Sequence, residues 1–225
     1  MTERFRTVRT AAWCVAACAL HLSAPQFAIS QESPVSSLFP TQLEDARRVA
    51  ADENAAQRLL DQYVLQTRTG SGSGPRLGWL STPFSRVVVY HRDARKAGQT
   101  PTSTDVPTEI LLPEVLVIAT SQPAADTDNA FANVQEIAIG KRVDSGFVDL
   151  FLPLRVRQPT ARERQLYDLD RTATVAVFDL DALAPLFDAQ VPNVVVRVSF
   201  DRVAKGTSPP MACKDCVVPV SGSIR

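Results

Sequence analysis

The amino-acid sequence predicts a mainly β fold. The expected form is an antiparallel β-sandwich, with an immunoglobulin-like arrangement among the architectures that fit, preceded by one or two α-helices. Three observations support this. From residue 113 onward, "PEVLVIAT", "VQEIAIG", "GFVDLFLPLRVRQ", "TATVAVFDL", "NVVVRVSFDRV" and "CVVPV" are short, Val-rich segments parted by turn-forming residues. No regular helical pattern lies between them except the short "DALAPLFDAQ", whereas a parallel α/β sheet needs a crossover helix after most strands. Ahead of them stands one clear amphipathic helical pattern.

The elements follow in chain order. Residues 1–30 form a secretory signal pattern: Arg4, Arg6 and Arg9 precede the apolar run "AAWCVAACALHLSA", and Ala28 and Ser30 are small residues suited to cleavage after Ser30. The run is shorter than the roughly 20 apolar residues of a membrane span, so no integral membrane segment is expected after cleavage. "VAAC" gives a minority alternative, a lipoprotein anchored at Cys18. The expected location is periplasmic or extracellular.

Residues 31–69 carry the amphipathic helix, expected over 42–66. Leu43, Ala46, Val49, Ala56, Leu59, Leu60 and Tyr63 recur at helical spacing, Thr41 and Glu44 offer a capping box, and the stripe is interrupted around Asp52 to Asn54. "GSGSGPR" supplies a Gly/Ser-rich linker or loop over 70–76. It is no phosphate loop, because the closing lysine and hydroxyl residue are missing. Residues 77–112 are read as a helix and loop, since Thr82 followed by Pro83 is a helix start and Phe84, Val87, Val88 and His91 keep helical spacing. The β-sandwich occupies 113–225. In it, Val194, Val196, Val198 and Phe200 face one way and Arg197, Ser199 and Asp201 the other. Pro153 marks an edge position or a bend.

Composition excludes several functions. The 24 basic and 24 acidic residues balance, and loss of the first thirty residues leaves about two net negative charges with no basic tract, so nucleic acid is not an expected partner. Cleavage also removes Cys14, Cys18 and His21, leaving His91 as the sole imidazole and Cys213 and Cys216 as the sole thiols. A hydrolase triad would have to be built on His91, for which spacing names no partner.

"MACKDCVV" holds the cysteine pair. A redox pair needs a following helix to stabilise its thiolate, and "VVPVSG" cannot continue as one. Val217 stands where a haem-attachment motif needs histidine. In an oxidising compartment the expectation is a short-range structural disulfide between Cys213 and Cys216, supplying about 2 kcal/mol or less. Redox activity and metal attachment are the alternatives.

The acidic clusters are weaker signals. Asp168 with Asp170, and Asp105, Asp126 and Asp128, have residue types that bind calcium but lack the spacing of a helix-loop-helix site, and are expected to be turn residues. "VAVFDLDALAP" resembles, over about seven residues, the first motif of the haloacid dehalogenase-like phosphotransferases. That resemblance implies Asp179 as nucleophile, Asp181 as acid or base, and magnesium. It departs from the pattern at Ala182 and Leu183, and the chain after Asp181 is short for the remaining motifs. Helix capping by Asp179 or Asp181 explains the same letters. The expectation is therefore an exported, non-enzymatic interaction or structural module without cofactor or metal. Its sandwich would present loops or a strand edge to another protein or a cell-envelope component. A thiol-disulfide or metal-handling accessory protein is the rival.

Overall fold

The computed structural model describes residues 38–69, 72–123, 131–143, 146–188, 194–201 and 215–220. The chain divides into two compact units; the first, Met1–Ser33, lies outside the described residues and takes the expected signal segment and Cys18 with it, so everything below concerns Pro34–Arg225.

Two short helices open the unit. Helix α1 (Pro40–Ala51) begins with Pro40, whose fixed φ suits a first turn, and the Gln42 side chain accepts the Phe39 N–H at 2.9 Å. Asp52 then breaks the helix and caps the next, its carboxylate accepting from the N–H groups of Asn54 and Ala55 at the start of α2 (Glu53–Asp61). The single helix expected over 42–66 is thus two, and it ends earlier. Tyr63 turns inward, and strand β1 (Val64–Thr69) follows.

The expected linker over 70–76 is largely strand. From Gly72 the chain runs in β2 (Gly72–Ser81), antiparallel to β1 with Thr69 opposite Gly72 and Val64 opposite Trp79. Ladder hydrogen bonds join backbone groups, which glycine and serine possess like any other residue.

Thr82 starts α3 (Pro83–Lys96), as the sequence predicts, and exchanges donor and acceptor with Ser85 in a capping box. A 3₁₀ turn at Thr108–Ile110 leads to β3 (Glu114–Ala119). After the small pair β4 (Gln122–Pro123) and β5 (Phe131–Ala132) come β6 (Val134–Val143), β7 (Gly146–Phe151) and β8 (Arg155–Arg157). Helix α4 (Ala161–Tyr167), β9 (Thr174–Asp179), α5 (Leu180–Asp188), β10 (Val194–Phe200) and β11 (Asp215–Pro219) complete it.

The result corrects the mainly β expectation: the fold is mixed α/β with two larger antiparallel sheets, ordered β1-β2-β3-β9-β8 and β11-β10-β6-β7. Helix α4 falls inside the region read as strand, while α5 occupies the short helical candidate "DALAPLFDAQ". The boundary drawn between 112 and 113 cuts a sheet, because β2 pairs with β3 (Trp79 opposite Ile118). Nothing in the strand order identifies an immunoglobulin-like arrangement.

Both sheets contribute to one apolar cluster. Leu65, Leu77, Leu80, Val115, Val117 and Phe178 come from the first sheet, and Ile137, Ile139, Val196, Val198, Phe200 and Val218 from the second. Leu183 and Leu186 of α5 join them. The period-2 alternation predicted for β10 holds, with Val194, Val196, Val198 and Phe200 all in this cluster. The opposite face of the first sheet carries Leu116, Ile118, Val175 and Val177, packed against Trp79, Tyr167 and Leu169. Helices α1, α2 and α3 share a third cluster around Ala46, Ala50, Val87 and Val88.

Candidate functional site

Strand β8 is the terminal strand of its sheet, paired on one side with β9 through Arg155–Val177, Val156–Ala176 and Arg157–Val175. Pro153 lies where the chain leaves β7, itself the terminal strand of the other sheet, and crosses to β8. Proline cannot donate to a ladder, so it suits such a crossing. Around it Leu152 and Leu154 are each 67 % exposed and Val156 is 58 % exposed. Only Val156 lies within β8; Leu152 and Leu154 precede it in the non-strand connection, with a bend at Leu154. Val156 shares its side of the sheet with core residue Ala176. Val156 therefore extends the apolar interior face to an exposed edge, and Leu154 and Leu152 continue the exposed apolar stretch back toward β7.

The other side of β8 is charged. Arg155 and Arg157 line a cleft of about 170 Å³ between β8, α4 and the 3₁₀ turn, with Arg86, Glu114, Glu163 and Tyr167. Arg155 meets Glu114 at 2.7 Å, Arg157 meets Glu163 at 2.6 Å, and Arg162 lies 3.5 Å from Glu109. Burial opposes ionisation of Glu163, but the hydrogen bonds from Arg157 and from the Thr160 N–H prevail and hold its pKa below the ordinary carboxylate value.

Arg86 is the cleft's unbalanced charge. Its residue is 8 % exposed, and its guanidinium donates to the carbonyls of Ile110 (3.0 Å), Glu114 (2.8 Å) and Leu112 (2.8 Å), with a longer contact to Ser81 (3.4 Å). Among the described residues no carboxylate bonds it. Burial lowers its pKa from the usual arginine value, opposed by Tyr167, Glu114 and Glu163. Each carboxylate of the cleft already faces an arginine, so the lining carries one positive charge in excess. Tyr167 also lines the cleft, its hydroxyl donating to Ser81 Oγ at 2.7 Å.

The residues singled out from the sequence lie elsewhere. Cys216, in β11, is 1 % exposed and disulfide-bonded, within the main core; Cys213 lies outside the described residues, so no disulfide has both partners among them. Burial removes Cys216 from the accessible, electropositive setting that a reactive thiolate needs. The metal-handling alternative also loses ground, since no group of three or more His, Cys, Asp or Glu among the described residues could hold a metal ion.

Asp179 ends β9 and accepts the Asp181 N–H at 2.9 Å at the start of α5, a capping arrangement. Asp170 accepts from the Thr172 N–H and hydroxyl, Asp105 from those of Thr102, and Asp168 occupies the left-handed C-cap of α4. These are turn roles. Asp126 and Asp128 lie outside the described residues. His91 is buried on α3, 1 % exposed, with Nε2 lacking a hydrogen-bond partner.

The sequence reading missed the β8 edge and the Arg86 cleft. A signal for α4 was present, since Thr160 and Glu163 stand at capping-box spacing. Nothing local marks Arg86, whose carbonyl partners lie up to 28 residues away. Among the described residues no helix is long and apolar enough to cross a membrane. No protein-family model matches the chain, and neither the curated proteins nor the solved structures contain a significant match to it.

Proposed function

We propose that this chain is an exported, non-enzymatic interaction module that accepts an extended segment of a partner protein along the free edge of β8. The two sheets form the supporting sandwich. The carrying observation is the exposed apolar stretch formed by Val156 on a strand that is terminal among the described residues and by Leu152 and Leu154 just before it. A strand added at such an edge gains main-chain hydrogen bonds for affinity and places alternate side chains on opposite faces for specificity. Here one set would meet Leu154 and Val156, and the other the arginine-rich cleft with its excess positive charge. The matching partner segment alternates apolar and acidic residues.

A synthetic peptide of alternating valine and glutamate is the probe. Titrated into the full chain, it is expected to slow amide exchange in 154–157, to bind more weakly as salt rises, and to lose binding in a Leu154→Asp/Val156→Asp variant with an unchanged melting temperature. Absence of added protection at millimolar peptide, or equal binding to that variant, overturns the proposal.

A further inference from the structure

A second cleft lies away from β8, between α1, α3 and the loop that follows α3. Its volume is about 370 Å³, and Glu44, Arg47, His91, Arg95, Thr100 and Ser103 are among its lining residues. His91 Nε2 is the only fully buried side-chain nitrogen or oxygen among the described residues that lacks a hydrogen-bond partner. An orphaned buried polar atom costs about 1–3 kcal/mol; His91 lines the cleft with this atom closed to solvent, so a ligand there recovers that energy when the imidazole turns toward it.

The charges around it specify the ligand. Arg47 is bonded to Glu44, which leaves Arg95 without a carboxylate partner among the described residues and gives the lining one positive charge in excess. Thr100 and Ser103 add hydroxyl donors. Such a set, an arginine with hydroxyls and an imidazole, complements an oxyanion. We infer that this cleft is a binding site for the oxyanion of a small molecule, a phosphate or a carboxylate, held by Arg95 and the loop hydroxyls and by the protonated Nε2 of His91.

In the free protein the surroundings of His91 favour its neutral form. Burial lowers its pKa, Arg47 lowers it further, and Glu44 on α1 and Asp105 on the loop oppose them, while Tyr90 sets its ring edge-on at 5.2 Å. A bound oxyanion supplies the counter-charge that this environment withholds. Nε2 then takes a proton from solvent and donates it in a hydrogen bond. Binding and proton uptake are thereby linked, and affinity falls as pH rises.

The test follows the His91 ring by NMR in the full chain, assigned against a His21→Gln variant, with inorganic phosphate and with citrate, each compared with chloride at equal ionic strength. A saturable shift with either oxyanion, a His91 pKa about one unit higher in the complex, and an affinity that falls about tenfold in all as pH rises from the free to the bound pKa and then levels off are expected. Phosphate alone acting points to a phosphate ligand, and citrate alone to a carboxylate. Arg95→Gln, on an exposed side chain, should weaken binding about five- to tenfold without altering the melting temperature. No shift beyond chloride, or an undiminished one in Arg95→Gln, overturns the inference.

Discussion

Replacing Arg86 by methionine tests how the end of the 3₁₀ turn is fixed to α3. The guanidinium makes three bonds of 3.0 Å or less, to the carbonyls of Ile110, Leu112 and Glu114. Methionine fills much of the same volume but donates nothing. Leu112 retains the Glu114 N–H as a donor at 2.7 Å, so the loss falls mainly on Ile110 and Glu114 and on the ordering of the segment between them. At roughly 1–1.5 kcal/mol for each of the three bonds, the variant should lose about 3–4 kcal/mol. Removing a buried charge returns part of the original desolvation cost, which keeps the figure below the upper range for broken buried ion pairs. For a domain of this size the melting temperature should fall by about 6–15 °C. Urea unfolding gives the free energy, and amide exchange localises the change to 108–114. A loss under 1 kcal/mol, or uniform exchange, would show that the turn is held by its apolar contacts and that the carbonyl cage is incidental. Lysine at this position should recover only part of the loss, because a point charge cannot reach three carbonyls in a planar fork.

Two other outcomes follow from single positions. Gly78 has φ +150°, and a Cβ there would stand 1.8 Å from the Ile118 carbonyl oxygen, across the β2–β3 ladder; Gly78→Ala should abolish folding or cost more than about 4 kcal/mol by urea unfolding, and near-normal stability would refute the close approach. His91 has its folded pKa below its unfolded value near 6.5, so its contribution to stability is complete above that value and is lost as pH falls from about 6.5 through the folded pKa. Unfolding in chloride buffers should show that decline in the native chain and a smaller one in His91→Gln. Equal slopes would refute burial of the neutral imidazole.

Where neighbours along the chain decide a structure, its residues announce it. Thr82, Pro83 and Ser85 start α3 with bonds spanning three residues, and the alternation of β10 reflects the two faces of a single strand. The same local logic overreached at Tyr63. The helix expected over 42–66 included Val64 and Leu65, yet pairing with β2 draws those residues into a strand. It also failed at Gly72 to Pro75, where side-chain composition suggests flexibility while the backbone pairs in a hairpin.

For the candidate sites the division is sharper. The sequence by itself determined the alternating strands, the main helix start in the body and the turn roles of Asp105, Asp170 and Asp179, since each depends on contacts a few residues long. Only the tertiary structure decided that β7 and β8 belong to different sheets, that Leu154 and Val156 lie beyond the cover of the core, that Arg86 meets carbonyls more than twenty residues away, and that His91 Nε2 is orphaned beside a cleft. Exposure and the lack of a partner are properties of what fails to arrive from elsewhere in the fold, and no stretch of sequence contains them.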